Sequence, residues 1–117
     1  MGPAIMPASK KRSYARYTIA AVELLGALVQ LERKSRRMTA QEMADRLGID
    51  RSTLQRLERG DPKVELGLAF EACAILSIPL FEEDAQGLTM RLGEAGKRLA
   101  LLPRRVRSRQ LNVSDDF

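Results

Sequence analysis

The sequence predicts an all-α fold, and three observations carry that prediction. Aromatic residues make up 4% of the chain against a hydrophobic fraction of 44%, and the composition leans on Leu, Ala, Met, Arg and Glu rather than on the aromatic and β-branched side chains of a β-sandwich. Apolar positions recur at intervals of three and four residues over long stretches, which places them on one side of a helix. Helix punctuation falls between those stretches: a Thr39/Glu42 pair, then Gly48, Gly60-Asp61-Pro62, Pro79 and Pro103. At 117 residues the chain has room for one compact domain with tails.

Residues 1–17 combine Gly, two Pro, Ser and four basic residues without apolar periodicity, which predicts a basic arm outside the core, with Tyr14 and Tyr17 its only aromatic anchors. A first helix is expected from Thr18, as cap, through Ile19, Val22, Leu25, Leu28, Val29 and Leu31, with Arg33, Lys34, Arg36 and Arg37 at the end where cations complement the helix dipole. Thr39 and Glu42 have the spacing of a capping box, in which each side chain accepts the other's backbone N–H. The helix they start carries Met43, Ala44 and Leu47 inward and stops at Gly48, a left-handed cap.

A third helix is expected over Arg51–Arg59, capped by Asp50 or Ser52. Leu54 and Leu57 are its only strongly apolar positions, so most of its surface is free for something other than the core. The stretch from Val64 to Leu76 is the most apolar and is expected at the centre of the core; Pro79 ends it. From 82 to 103 two patterns fit. Leu88, Met90 and Leu92 alternate as in a short strand, whereas Leu88, Leu92, Leu99 and Leu102 mark helical turns interrupted by Gly87, Gly93 and Gly96. The organisation expected is therefore an arm (1–17), a helical domain (18–81), a dimerisation segment (82–103) and a basic tail (104–117).

Charge and chemistry narrow the function. The net charge of +5 is distributed as +6 over residues 1–37, zero over 38–59, −5 over 60–90 and +4 over 91–117. Basic ends flanking a neutral-to-acidic body suit a polyanion such as DNA, since Lys and Arg displace counterions from phosphates. The sequence holds no His and a single cysteine, Cys73, which leaves no zinc ligand set and no internal disulfide and points to a reducing, cytoplasmic compartment. Apolar runs are broken well short of the ~20 residues of a membrane span, and Met1–Ala8 is too short for a secretory signal. Without His as a base, a phosphate-cradling loop or a paired-carboxylate pocket, the sequence predicts no enzyme and implies no cofactor. Cys73 is read as a buried apolar residue.

Residues 39–60 form a capped helix, a glycine turn and a short polar-faced helix, the helix-turn-helix arrangement whose second helix enters a major groove about 12 Å wide. Thr39, Glu42, Ala44, Gly48 and the run Leu57-Glu58-Arg59-Gly60 resemble the Xre/Cro-type family of phage and bacterial repressors. The resemblance implies a five-helix, lambda-repressor-like domain. It places base-reading positions on Arg51, Ser52, Thr53 and Arg56, with Gln55 beside them. Arg and Gln suit the task, because their forks match the hydrogen-bonding edges of guanine and adenine. Where many members of that family carry a phosphate-binding Gln, this chain has Ala40. Backbone anchoring is assigned to Thr39, Gln41 and the cluster Arg33, Lys34, Arg36 and Arg37, with Arg59 as a further phosphate contact. Glu58 is expected to be structural, paired with an arginine such as Arg46.

One such module buries little surface, so a homodimer on operator DNA is expected. Ile78, Leu80, Phe81, Leu88, Met90 and Leu92 are its candidate interface; completing the monomer core is the other use for them. A narrower resemblance, carried by AVELLGALVQLERKSRRMTAQEMADRLGI, ERGDPKVELG, LALLPRRVRS and VSDDF, is to the HipB-like antitoxins. It implies a bacterial repressor of its own operon, at the nucleoid when on its operator, that binds a HipA-like serine/threonine kinase toxin through Glu82, Glu83 and Asp84 or the tip Asp115, Asp116 and Phe117. The rival to DNA binding is an interaction module that keeps the helix-turn-helix fold without reading DNA.

Overall fold

A computed structural model describes residues 12–106. It contains five helices, α1 (Arg16–Ser35), α2 (Ala40–Leu47), α3 (Arg51–Arg59), α4 (Leu66–Ile75) and α5 (Ala85–Ala100), with no strand among the described residues. The chain divides into two compact units after Leu80. No described helix is long and apolar enough to cross a membrane.

In the first unit the core is small and dense. Val29, Met43, Ala44, Leu54, Leu57, Ala69, Ala72, Cys73 and Leu76 are buried, and Leu25, Leu47, Ile49, Val64, Ile78 and Leu80 pack partly against them. Ile78 and Leu80, counted above among candidate interface residues, thus belong in part to this core. The inward face of α4 consists of Ala69, Ala72, Cys73 and Leu76, at helical spacing. The apolar residues elsewhere on α4 fall on its other sides, so Leu66 is left 66% exposed. The Cys73 thiol is pushed up in pKa by burial.

Helix α1 crosses the end of α3 at backbone contact. A Cβ at Gly26 would stand 2.5 Å from the Leu57 carbonyl oxygen and 2.7 Å from that of Glu58, and one at Gly60 would stand 2.6 Å from the Cα of Glu23. Only glycine permits that approach, and Gly60 also takes φ 82°, in the left-handed region. Two glycines thereby fix where the third helix lies against the first.

Two boundaries differ from the sequence reading, and one open alternative is decided. Helix α1 starts at Arg16, after Ala15, with no side-chain cap, so Arg16 and Tyr17 are helical and Thr18 lies inside the first turn rather than capping it. Helix α4 starts at Leu66, two residues after the expected Val64. In the second unit, residues 88–92 belong to α5 and the strand alternative is lost. The Asp84 carboxylate accepts the Gly87 N–H at 2.7 Å and starts that helix, and the spacing of Leu88, Leu92 and Leu99 continues it through Gly93 and Gly96. None of its residues is buried.

Candidate nucleic-acid interface

The turn between α2 and α3 is set by local hydrogen bonds. Thr39 N–H donates to Glu42 Oε1 at 2.8 Å and Glu42 N–H donates to Thr39 Oγ1 at 3.0 Å, which closes the capping box. Gly48, at φ 70°, ends α2, and its N–H bonds to the last turn. Asp50 then caps α3 by accepting the Thr53 N–H at 2.8 Å. Hydrogen bonds from Thr53 first, and from Ser52, whose hydroxyl lies 3.2 Å away, hold the Asp50 carboxyl below its usual pKa. Three residues, Gly48 to Asp50, therefore connect two helices whose adjoining ends are both capped.

The inner side of α3 is fully engaged. Leu54 and Leu57 are buried, and the Glu58 side chain, 7% exposed, meets Arg33, 9% exposed, in a two-pronged ion pair. Arg33 donates from Nε to Oε2 at 2.7 Å and from Nη2 to Oε1 at 3.0 Å, while Nη1 donates to the Met38 carbonyl at 3.0 Å. The hydrogen bond to Glu58 holds the guanidinium still more firmly protonated, against the opposing effect of burial. This corrects two sequence expectations. Arg33 faces the interior rather than a phosphate, and the partner of Glu58 is Arg33, not Arg46. Such a pair ties α1, α3 and the start of the α1–α2 connection together.

The outer side is different. At about 100° per residue, Arg51, Ser52, Gln55 and Arg59 fall within one quarter-turn or so of the helix surface, and all four are exposed. The side chains of Arg51, Gln55 and Arg59 make no hydrogen bond or ion pair among the described residues. The result is an open arc with two free guanidiniums, an amide and a hydroxyl. Thr53, expected among the base readers, is half-buried. Arg56, also expected there, lies at the edge of the arc and donates from Nε to Asp61 Oδ2 at 2.8 Å. That bond, with the Lys63 N–H on Oδ1 at 2.8 Å, holds the Asp61 carboxyl below its usual pKa. Arg56 thus ties the end of α3 to the following loop, while Arg59, expected on phosphate, shares the arc with Arg51.

The remaining backbone candidates are mixed. Lys34 and Arg37 are exposed, and Arg37 takes φ 57°. Arg36 is partly committed, donating to the Leu76 carbonyl at 2.6 Å and to Glu32 at 3.3 Å. Gln41 is exposed and donates to Asp45 at 2.9 Å, and Thr39 is engaged in the capping box. Of the candidate toxin contacts, Glu82 is exposed, Glu83 pairs with Arg91 at 3.0 Å and Asp84 caps α5. Asp115, Asp116 and Phe117 lie outside the described residues, as does most of the basic arm. No group of acidic, Cys or His side chains suited to a metal occurs among the described residues.

Sequence reasoning expected a structural role for Glu58 but missed Arg33 as its partner, and it missed Asp61 as the partner of Arg56. The phase of α1 contained one signal: Leu25 and Val29 point inward, and Arg33, four residues after Val29, continues that line. Asp61 had no comparable signal, being five residues from Arg56 across the Gly60 turn.

The fold and this site define an all-α, lambda-repressor-like helix-turn-helix domain. Residues 29–82 match the helix-turn-helix family model HTH_3, and the match supports a DNA-binding regulator in general. No curated protein and no solved structure matches the chain.

Proposed function

We propose that the chain is a sequence-specific transcriptional repressor that binds operator DNA as a homodimer and reads the major groove with the outer arc of α3. The observation that carries the proposal is the pairing of an engaged inner side with an unengaged outer one. Arg51, Ser52, Gln55 and Arg59 are exposed together, on a helix whose position is fixed by Leu54, Leu57 and the Arg33–Glu58 pair. Arg51 is suited to the O6 and N7 of guanine and Gln55 to the N6 and N7 of adenine, while Lys34, Arg37 and Arg59 supply phosphate contacts.

The finer reading is that this repressor is the antitoxin of a HipA-like kinase toxin and controls its own operon at the nucleoid. It rests on the resemblance of the α1–α2 stretch and the C-terminal residues to HipB-like antitoxins, and it has its own test: a stable complex with a HipA-like kinase on size exclusion. DNA reading is tested by titrating the protein against its own upstream DNA and a scrambled duplex at two salt concentrations. A preference for the upstream DNA that persists at the higher salt supports the repressor. Equal, salt-sensitive binding to both duplexes, or no binding, leaves an interaction module, because phosphate contacts alone carry no sequence information and weaken with salt.

A further inference from the structure

We infer that the groove between the α1–α2 connection and α2 is a phosphate site held by Arg37 and Arg46; this deepens the DNA-binding reading above and rests on it for the source of the phosphate. The first observation is a misfit in the backbone. Helices α1 to α4 each close on a left-handed residue, Arg37, Gly48, Gly60 and Ser77, and the N–H of the next residue donates to a carbonyl five residues back: Met38 to Arg33, Ile49 to Ala44, Asp61 to Arg56 and Ile78 to Cys73. Glycine takes that conformation without steric cost. Helices α2 and α3 end on it and α4 ends on a small serine, whereas α1 ends on an arginine at φ 57°. A long side chain kept where the backbone disfavours it has a use outside the fold.

The second observation is what surrounds that side chain. Arg37 lines an open groove of about 430 Å³ with Arg36, Met38, Glu42, Asp45 and Arg46. Most of the polar lining has work elsewhere: Arg36 donates to the Leu76 carbonyl and to Glu32, Glu42 Oε1 accepts the Thr39 N–H, and Asp45 Oδ1 accepts from the Gln41 amide. The side chains of Arg37 and Arg46 are exposed and make no hydrogen bond or ion pair among the described residues, although two carboxylates line the same groove. A guanidinium offers paired N–H donors that match two oxygens of one phosphate. Three guanidiniums against two carboxylates leave a single positive charge, which balances a phosphodiester better than the dianion of free phosphate. The groove is also open, which suits a group carried on a larger surface rather than an enclosed small molecule. Both features favour the DNA backbone as the source, where such a contact fixes register and carries no base information.

Two single variants of the full chain test this, Arg37→Gly and Arg46→Gln, each titrated with the upstream and scrambled duplexes over a series of salt concentrations and melted with and without inorganic phosphate at matched ionic strength. Both are expected to weaken binding to the two duplexes alike, by roughly tenfold at low salt, and to lower the slope of log affinity against log salt by about 1 for each copy on the DNA. Arg46→Gln leaves the melting transition where it was. Arg37→Gly raises it, since glycine relieves the left-handed backbone, and a gain in stability joined to a loss of binding is a result that a merely structural arginine would not give. Loss on the upstream duplex alone makes these residues base readers and overturns the phosphate site. Unchanged duplex binding, with inorganic phosphate raising the melting transition of wild type but not of either variant, keeps the site and assigns it to a free anion. Unchanged duplex binding and no effect of phosphate overturn it. A wild type that binds both duplexes equally overturns the specific repressor and leaves this site standing where the variants still lower the salt slope.

Discussion

The two faces of α3 differ in almost every physical respect although they share nine residues. Leu54, Leu57 and Glu58 face a packed interior and each has a fixed partner; Arg51, Ser52, Gln55 and Arg59 face outward, and three of the four side chains bond to nothing in the described chain. The inner face sets where the helix lies, to within the tolerance of a backbone contact at Gly26, and the outer face is free to carry information. Because the two sets do not share residues, what the helix recognises can change without altering how it is held. The difference also divides the consequences of mutation: inner substitutions act on folding, and outer ones act on binding at constant stability.

The largest effect is expected at Leu54, fully buried at the centre of the core. Leu54→Ala leaves a cavity and lowers stability by about 3 kcal/mol or more, within the 2–5 kcal/mol range for buried leucines, a large share of the roughly 5–15 kcal/mol available to a small domain. Thermal unfolding checks it. A loss under about 1 kcal/mol means that the inner face is less tightly packed than its burial indicates.

A comparable loss is expected from Glu58→Gln. The change keeps the shape but leaves the Arg33 charge in place with its carboxylate gone, and unpairing a buried ion costs about 3 kcal/mol. Arg33→Met/Glu58→Leu, which removes both charges and keeps most of the volume, is expected to recover most of that stability. Failure of the double variant to recover shows that the bond from Arg33 to the Met38 carbonyl, and not only the pair, holds the α1–α2 connection.

On the outer face the expected result reverses. Arg51→Ala leaves the melting transition within about 0.5 kcal/mol of wild type and weakens binding to the preferred duplex by about 1–3 kcal/mol, with the discrimination against a changed base lost at one position. Equal weakening on every duplex instead assigns Arg51 to phosphate. A fall in stability as large as that at Glu58 removes the distinction between the faces.

How far these faces were legible in the sequence depended on whether the deciding interaction was local. The bounds of α2 and α3 were readable because their signals lie within three residues of each terminus: Thr39 with Glu42, Gly48, Asp50 with Thr53, and Gly60. The polar outer face of α3 was readable from the presence of only two leucines. Arg33 was not singled out, because it sits in a run with Lys34, Arg36 and Arg37, and its burial depends on a partner 25 residues away. The bond from Arg56 to Asp61 was missed for a related reason: that partner lies beyond a turn, where no helical spacing applies. In α5 the alternation of Leu88, Met90 and Leu92 and the longer spacing through Leu99 fitted equally well over a few residues, and three interior glycines weakened the helical signal. The Asp84 cap and the continuation past Gly96 decide it.

The smallest effect belongs to the edge between the faces, where Arg56 meets Asp61. The Arg56 side chain is 39% exposed and that of Asp61 28%, so water screens the pair and its worth is under about 1 kcal/mol. Its signature is therefore sought in pH dependence rather than in size. Hydrogen bonding from Arg56, then from the Lys63 N–H, lowers the Asp61 pKa in the folded chain below its usual 3.8. The folded state thus binds the proton less readily than the unfolded one, and the stability this gives is fully present above the unfolded value and is lost as pH falls through the folded value. Asp61→Asn is expected to cost little at pH 7 and to flatten the loss of stability below about pH 4, measured by denaturant unfolding at a series of acid pH values. The Asp50 cap contributes to the same acid limb with the same sign, so some slope survives in Asp61→Asn. An unchanged slope assigns the acid loss to Asp50 and other carboxylates and leaves Arg56 held by geometry alone, available to swing towards the outer arc when DNA is bound.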